Sequence, residues 1–137
     1  MTPSKIRMRD VPASRRLGAD IRFLLTEKSV GARSGFLGTM TLEPGEYVSA
    51  HYHPYSDEFV FLAEGSLRMR VDGEDILVER HEAVLVPKGA HHRYENVGDS
   101  TAFLVFQVAP LAPSPEEGHV EVEPVPEPSA QPPSVGS

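Results

Sequence analysis

Hydrophobic and polar positions alternate along most of this chain with a period close to two. Between residues 66 and 72, Leu67, Met69 and Val71 interleave with Arg68, Arg70 and Asp72, as in a strand with one face buried and one in water. Asp72-Gly73 then supplies a residue pair favoured in two-residue hairpin turns, and Ile76 and Val78 resume the apolar spacing. The same pattern predicts strands over 21–26, 35–43, 47–53, 58–63, 83–86, 91–95 and 102–108. Turn chemistry separates them at Pro44-Gly45, Glu64-Gly65, Pro87-Lys88-Gly89 and Val97-Gly98-Asp99. No window of about 12 residues carries a helical stripe. Short strands punctuated every eight to twelve residues or so predict an all-β, antiparallel sandwich or barrel.

Composition narrows the picture. At 137 residues the chain is one domain's worth, and 39% hydrophobic residues suffice for one modest core. Cysteine is absent, which excludes disulfides, thiolate metal sites and Cys nucleophiles. The longest apolar runs, 59–63 and 102–106, are five residues each, so no membrane partner is expected. The first ten residues are polar and charged, unlike a secretory signal, and the expected compartment is cytoplasmic. The net charge of -7 is uneven: residues 110–137 hold five Glu and no Lys or Arg, leaving 15 acidic and 13 basic residues elsewhere. No basic patch is visible, so nucleic acid is not an expected partner. That segment also carries eight of the 13 Pro. The expected organisation is an N-terminal extension over 1–20 and a barrel over 21–109. A C-terminal extension over 110–123 packs on or leaves the barrel, and a Pro/Glu-rich disordered tail occupies 124–137.

Five of the six histidines lie between positions 51 and 92. His51 and His53 are two apart on a predicted strand, so both imidazoles project from one face. Glu58 follows beyond Pro54, with Asp57 as a competing carboxylate, and His92 arrives on another strand. Two same-face histidines, a carboxylate and a distant histidine can form the first shell of a divalent metal, with Zn, Fe, Mn or Ni suited to such ligands. His91 should point away from His92 by alternation, and His119, in the acidic segment, reads as solvated.

The spacing around these residues has a family character. Gly45, His51, His53, Glu58 and Gly65 are separated by five, one, four and six residues. Pro87, Gly89, His92 and Asn96 are separated by one, two and three. These two patterns resemble the paired motifs of the cupin superfamily. The second motif normally opens with Gly, where this chain has His81, so His81 either takes a conformation usually given to Gly or sits in a different turn. The resemblance implies a double-stranded β-helix, or jelly-roll barrel, with His51, His53, Glu58 and His92 converging on one metal. It favours Glu58 over Asp57 by its spacing from His53.

A longer stretch, residues 34–65 with HYHPYSDEF at its centre, is similar to the small single-domain cupin cyclases of bacterial aromatic polyketide pathways, the tetracenomycin, spore-pigment and resistomycin type. The PLAP and GHV of residues 110–120 resemble the C-terminal end of that group. The resemblance implies a metal-dependent cyclase that closes rings on a poly-β-ketone, released or carrier-protein-bound, with one divalent ion, zinc first and Fe, Ni or Mn as alternatives. Alternatives of other classes are a metal-dependent cupin dioxygenase or oxidoreductase, and a non-catalytic small-ligand-binding cupin. Expected catalytic groups are Glu58 or a metal-bound hydroxide as base, and Tyr47 and Tyr94 as donors to the developing enolate. By alternation Ser49, Val60, Leu62, Phe103 and Gln107 are expected to wall the pocket. Single-domain cupins commonly pair, and residues 5–26, with Ile21, Phe23 and Leu25 alternating, could add a strand to a partner's sheet in a homodimer.

Overall fold

The computed structural model describes residues 3–131. A 3-10 turn at Met8–Asp10 precedes ten strands and one short helix: β1 (Asp20–Leu25), α1 (Glu27–Val30), β2 (Phe36–Leu42), β3 (Tyr47–Tyr52), β4 (Asp57–Glu64), β5 (Leu67–Val71), β6 (Glu74–Val78), β7 (Ala83–Val86), β8 (His92–Glu95), β9 (Ala102–Ala109) and β10 (Val120–Glu121). The strands form two five-stranded sheets, ordered β1-β2-β9-β4-β7 and β10-β3-β8-β5-β6. Each strand pairing within them is antiparallel. Neighbours distant in sequence, such as β2 beside β9 and β3 beside β8, give the jelly-roll crossover. The predicted strands lie within a residue or two of the observed ones. The exception is β10, too short to leave a pattern. Helix α1 is likewise too short for a stripe, and is set by its capping box, Thr26 with Ser29, and by Gly31 at φ +71 after its last turn.

Alternation decides what the sheets bury. In β4, Glu58, Val60 and Leu62 point inward; in β9, Ala102, Leu104, Phe106 and Val108 do so. They meet Leu67, Met69, Val78 and Tyr94 of the facing sheet, each large apolar side chain contributing roughly 1.5–3 kcal/mol by leaving water. The opposite face of β4 and β7 exposes Phe59, Phe61 and Leu85. Phe59 pairs with Gln107 and Phe61 with Val105 across to β9, so the outward face of β9 carries Phe103, Val105 and Gln107. Two residues expected as pocket wall, Phe103 and Gln107, therefore lie outside the barrel. Residues 102–106 are apolar on both faces, so periodicity alone could not choose the inner one.

The motif residues hold turns together. Asp72 (φ 49) and Gly73 (φ 81) make the left-handed pair needed by the β5–β6 hairpin. His81 does adopt a glycine-like conformation, φ +71, and its ring stacks on Phe61. Buried Asn96 donates to the carbonyls of Leu42 and Ser100 and accepts from Gly98 N–H, closing the turn after β8.

β1 pairs with β2 of its own chain at the edge of its sheet, and its Ile21 is buried in the same core. One expectation about the C-terminal segment is corrected. Residues 124–131, read from composition as a disordered tail, lie against the barrel. Val125 packs on the core, Glu127 N–H donates to the Arg16 carbonyl, and the Arg16 guanidinium donates to the carbonyls of Pro128 (2.9 Å) and Ala130 (2.8 Å). Proline-rich chain has few backbone donors of its own, but its carbonyls remain good acceptors for an arginine. Residues 132–137 of the expected tail lie outside the described residues. Among the described residues, no helix is long and apolar enough to cross a membrane. Deleting 124–137 should lower the melting temperature by roughly 3–8 °C in a thermal scan, the scale of losing one or two kcal/mol from a domain this size. An unchanged melting temperature would mean that the packed segment contributes nothing.

Candidate metal centre and cavity

β3 and β8 lie side by side, and His51 faces His92 directly across the pair, with ring centroids 4.3 Å apart. His53 follows at the end of β3, its ring 5.3 Å from that of His92. Glu58 enters from β4 of the opposite sheet. One ligand atom from each of these four buried residues lies within 4.8 Å of the others. Asp57 accepts Lys88 N–H at 2.8 Å, whereas Glu58 faces the three histidines. His91 is exposed and stacks on Tyr52, away from the cluster.

The imidazoles are held in one tautomer. Nδ1 of His51 contacts the Ser49 carbonyl at 2.8 Å, that of His92 the Ala90 carbonyl at 3.0 Å, and that of His53 the Gly118 carbonyl at 3.0 Å. A carbonyl oxygen only accepts, so each Nδ1 carries a proton and each Nε2 is left facing the cluster, where a second proton or a cation can bind it. Nε2 of His53 lies 3.1 Å from Glu58 Oε1, Nε2 of His92 lies 3.7 Å from Oε2, and the buried Nε2 of His92 has no hydrogen-bond partner. Lone pairs facing carboxylate oxygens at this range repel unless a proton or a cation sits among them. The donor set therefore fits a divalent ion held through three Nε2 atoms and one carboxylate oxygen.

Electrostatics favour positive charge at this spot. Burial opposes the charge on Glu58, but His92 and His53 outweigh it and hold the carboxyl well below the usual range. Burial, then the neighbouring histidines, push His51 well below its ordinary value, so it is neutral and free to ligate. His92 is opposed by burial, yet Glu58 holds its pKa above the ordinary imidazole value. Tyr94, fully buried, donates its hydroxyl to Glu58 Oε2. Burial, and then the Glu58 charge, raise its pKa well above that of a free phenol, so it stays a donor.

His119, expected to be solvated, is part of this cluster. β10 pairs with β3, setting Val120 against Tyr52 and Glu121 against His51. That register brings the His119 ring to 4.6 Å from His51 and 5.7 Å from His53. Burial first, then His53, lower its pKa to about 4. The GHV in the sequence was the available signal, but its position depends on a pairing that composition does not reveal.

A partly open cavity of about 60 Å³ adjoins the cluster. Ile21, Phe23, Phe36, Met40, Phe106 and Val108 form its apolar wall, and Leu111, Pro115 and His119 of the C-terminal segment form its roof. Phe23, Phe36 and Phe106 meet edge to face, with centroids about 6 Å apart. Other expected wall residues lie elsewhere. Val60 and Leu62 are buried in the core without lining the cavity, and Ser49 is buried beneath His51, giving it a carbonyl. Tyr47 is turned away by a bulge. Val48 faces Tyr94 while His51 faces His92, so β3 carries one extra residue and the parity flips between them. The Tyr47 ring instead lies 4.1 Å from the Arg93 guanidinium on the outer face. A wider groove of about 1250 Å³ beside the N-terminal residues and α1 has no histidine in its lining.

A two-sheet jelly roll with three histidines and a glutamate converging between its sheets is the arrangement of a cupin. Residues 38–108 match the cupin domain family, and the chain belongs to it. Over 97% of its length it is 56% identical to the tetracenomycin polyketide synthase protein TcmJ of Streptomyces glaucescens, covering 89% of that protein. It is 44% identical to the polyketide synthase protein CurC of Streptomyces cyaneus, over 90% of this chain and 80% of the relative. The polyketide cyclase RemF of Streptomyces resistomycificus shares the fold, with a TM-score of 0.72 at 19% identity over 93% of this chain and 90% of that one.

The Tyr94–Glu58 bond can be isolated by Tyr94→Phe, which deletes one oxygen. Loss of a donor to a buried charge should cost about 1.5–3 kcal/mol in chemical denaturation at neutral pH. Glu58 titrates below the usual range, so this contribution is present above its unfolded pKa and fades as pH falls through the depressed one. A variant as stable as the parent at pH 7 would show that Glu58 does not depend on Tyr94.

Proposed function

We propose that this protein is a metal-dependent cyclase of aromatic polyketide biosynthesis, closing a ring on a released or carrier-protein-bound poly-β-ketone by aldol condensation and loss of water. The observation that carries the reading is the ionised Glu58 among three inward-facing Nε2 atoms at one end of an apolar cavity. The substrate class is supported by the polyketide synthase proteins to which the chain is similar.

His51, His53, Glu58 and His92 would hold one divalent ion, with zinc favoured. When bound, the ion would polarise a ketone oxygen and acidify the adjoining methylene. Glu58, ionised at neutral pH, accepts the methylene proton through Oε1. The carbanion carbon bonds to a distal ketone carbon, and the proton passes to the new alkoxide. Dehydration then leads to the aromatic ring. Tyr94 acts as a positioning residue, since its hydroxyl is directed to Glu58 Oε2. The Phe23, Phe36 and Phe106 walls exclude water and flatten the folded chain against aromatic faces.

Metal retention is the first test. Elemental analysis of the purified protein should find about one zinc per chain, and His51→Ala/His53→Ala should lose nearly all of it. Full occupancy in that double variant would remove the site, and native iron or copper would direct the reading towards oxidative chemistry. Glu58→Gln is the second test, read by mass spectrometry of ring patterns with the synthase and carrier protein present. Metal content should largely survive while cyclisation falls roughly a hundredfold, the scale of a lost general base. Unaltered ring formation by a fully metallated Glu58→Gln protein would exclude Glu58 as base.

A further inference from the structure

The three histidines differ in where their Nδ1 acceptors come from. His51 uses Ser49 and His92 uses Ala90, each two residues back on the same stretch of chain. Forming β3 and β8 is enough to orient those rings. His53 uses Gly118, 65 positions away, beyond β9 and outside the residues that match the family. Its orientation requires the C-terminal segment to be docked.

Besides the β10–β3 pairing and the packing of Val125, a set of polar contacts docks the segment. Arg16 grips Glu121 through both arms of its guanidinium, at 2.9 and 3.0 Å, and reaches the carbonyls of Pro128 and Ala130. Glu121 is three residues from Gly118 and pairs with His51 on β3. On the other side, Glu123 accepts from Ala50 N–H at 2.9 Å and pairs with Arg93. Arg16 precedes β1 and Glu121 follows β9, so the segments flanking the main barrel strands meet beside the candidate metal centre.

We infer that Arg16 and Glu121 are positioning residues for the metal centre: by locking the C-terminal segment they keep the Gly118 carbonyl on His53 Nδ1, and so set metal affinity without touching the ion. The inference rests on the proposed metal site and adds a residue pair to it. Outer partners of ligating histidines typically change metal affinity 10–100-fold. Coupling of this kind is reciprocal, so metal binding must in turn tighten the segment.

The test uses the full chain and zinc ions alone. Zinc affinity is measured by competition with a chromophoric chelator at constant pH, for the parent, Arg16→Gln, Glu121→Gln and the reversed pair Arg16→Glu/Glu121→Arg. Each single variant should bind zinc at least tenfold more weakly, with the reversed pair recovering most of the loss. Nitrogen chemical shifts of the imidazoles in the metal-free protein separate positioning from general destabilisation. His53 should lose its single tautomer in Arg16→Gln, while His51 and His92, with local acceptors, should keep theirs. In the parent, zinc should slow hydrogen exchange at Val122 N–H and Glu127 N–H, which bond to Ala50 and Arg16. Parental zinc affinity in both single variants would overturn the inference while leaving the metal site intact. Equal tautomer loss at all three histidines would reduce Arg16 to a stabilising residue and also overturn it. A parent protein that binds no zinc would overturn the metal reading and this inference together.

Discussion

Glu58 is a carboxylate about 1% exposed between two β-sheets, and it stays ionised. Burying such a charge costs several kcal/mol unless opposite charge and hydrogen bonds replace the lost water. Tyr94 supplies one donor from beneath, and His53 and His92 supply the nearest nitrogens. Their Nδ1 protons are committed to backbone carbonyls, so their Nε2 atoms face the carboxylate with a proton or a cation between. A divalent cation would satisfy all four groups together. The cluster is thus as much a constraint on the fold as a product of it, because the sheets can close over Glu58 only when these partners are in place.

The inner faces of the sheets divide into a dry half and a chemical half. Leu62, Leu67, Met69, Val78 and Leu104 fill the dry half completely. In the other half the C-terminal segment, rather than a strand of either main hairpin, provides the roof and brings His119 beside His51 and His53. A cavity of about 60 Å³ is far below the roughly 300–1,000 Å³ usual for small-molecule pockets. Under the proposed function, ring closure on a long polyketide would require this roof to move. The aromatic trio sits on the β1–β2–β9 side of the cavity, apart from that roof.

The strand order along the chain and the hairpin at Asp72-Gly73 were readable from sequence, because each depends on chemistry within a few residues: period-two alternation reports a half-buried strand and turn residues report left-handed backbone. The set His51, His53, Glu58 and His92, whose members lie up to 41 positions apart, was legible through its resemblance to the two cupin motifs. The tertiary structure decided the rest. It turned Tyr47 outward, because a bulge between Val48 and His51 reversed parity in mid-strand, and local pattern does not register one unpaired residue. It put Phe106 and Val108 inside and Phe103 and Gln107 outside, because a run apolar on both faces takes its orientation from the opposing sheet. It moved His119 and residues 124–131 from expected solvent onto the barrel. Their contacts with β3 and Arg16 span 68 to 114 positions, and contacts at that range leave no periodic trace in the sequence that makes them.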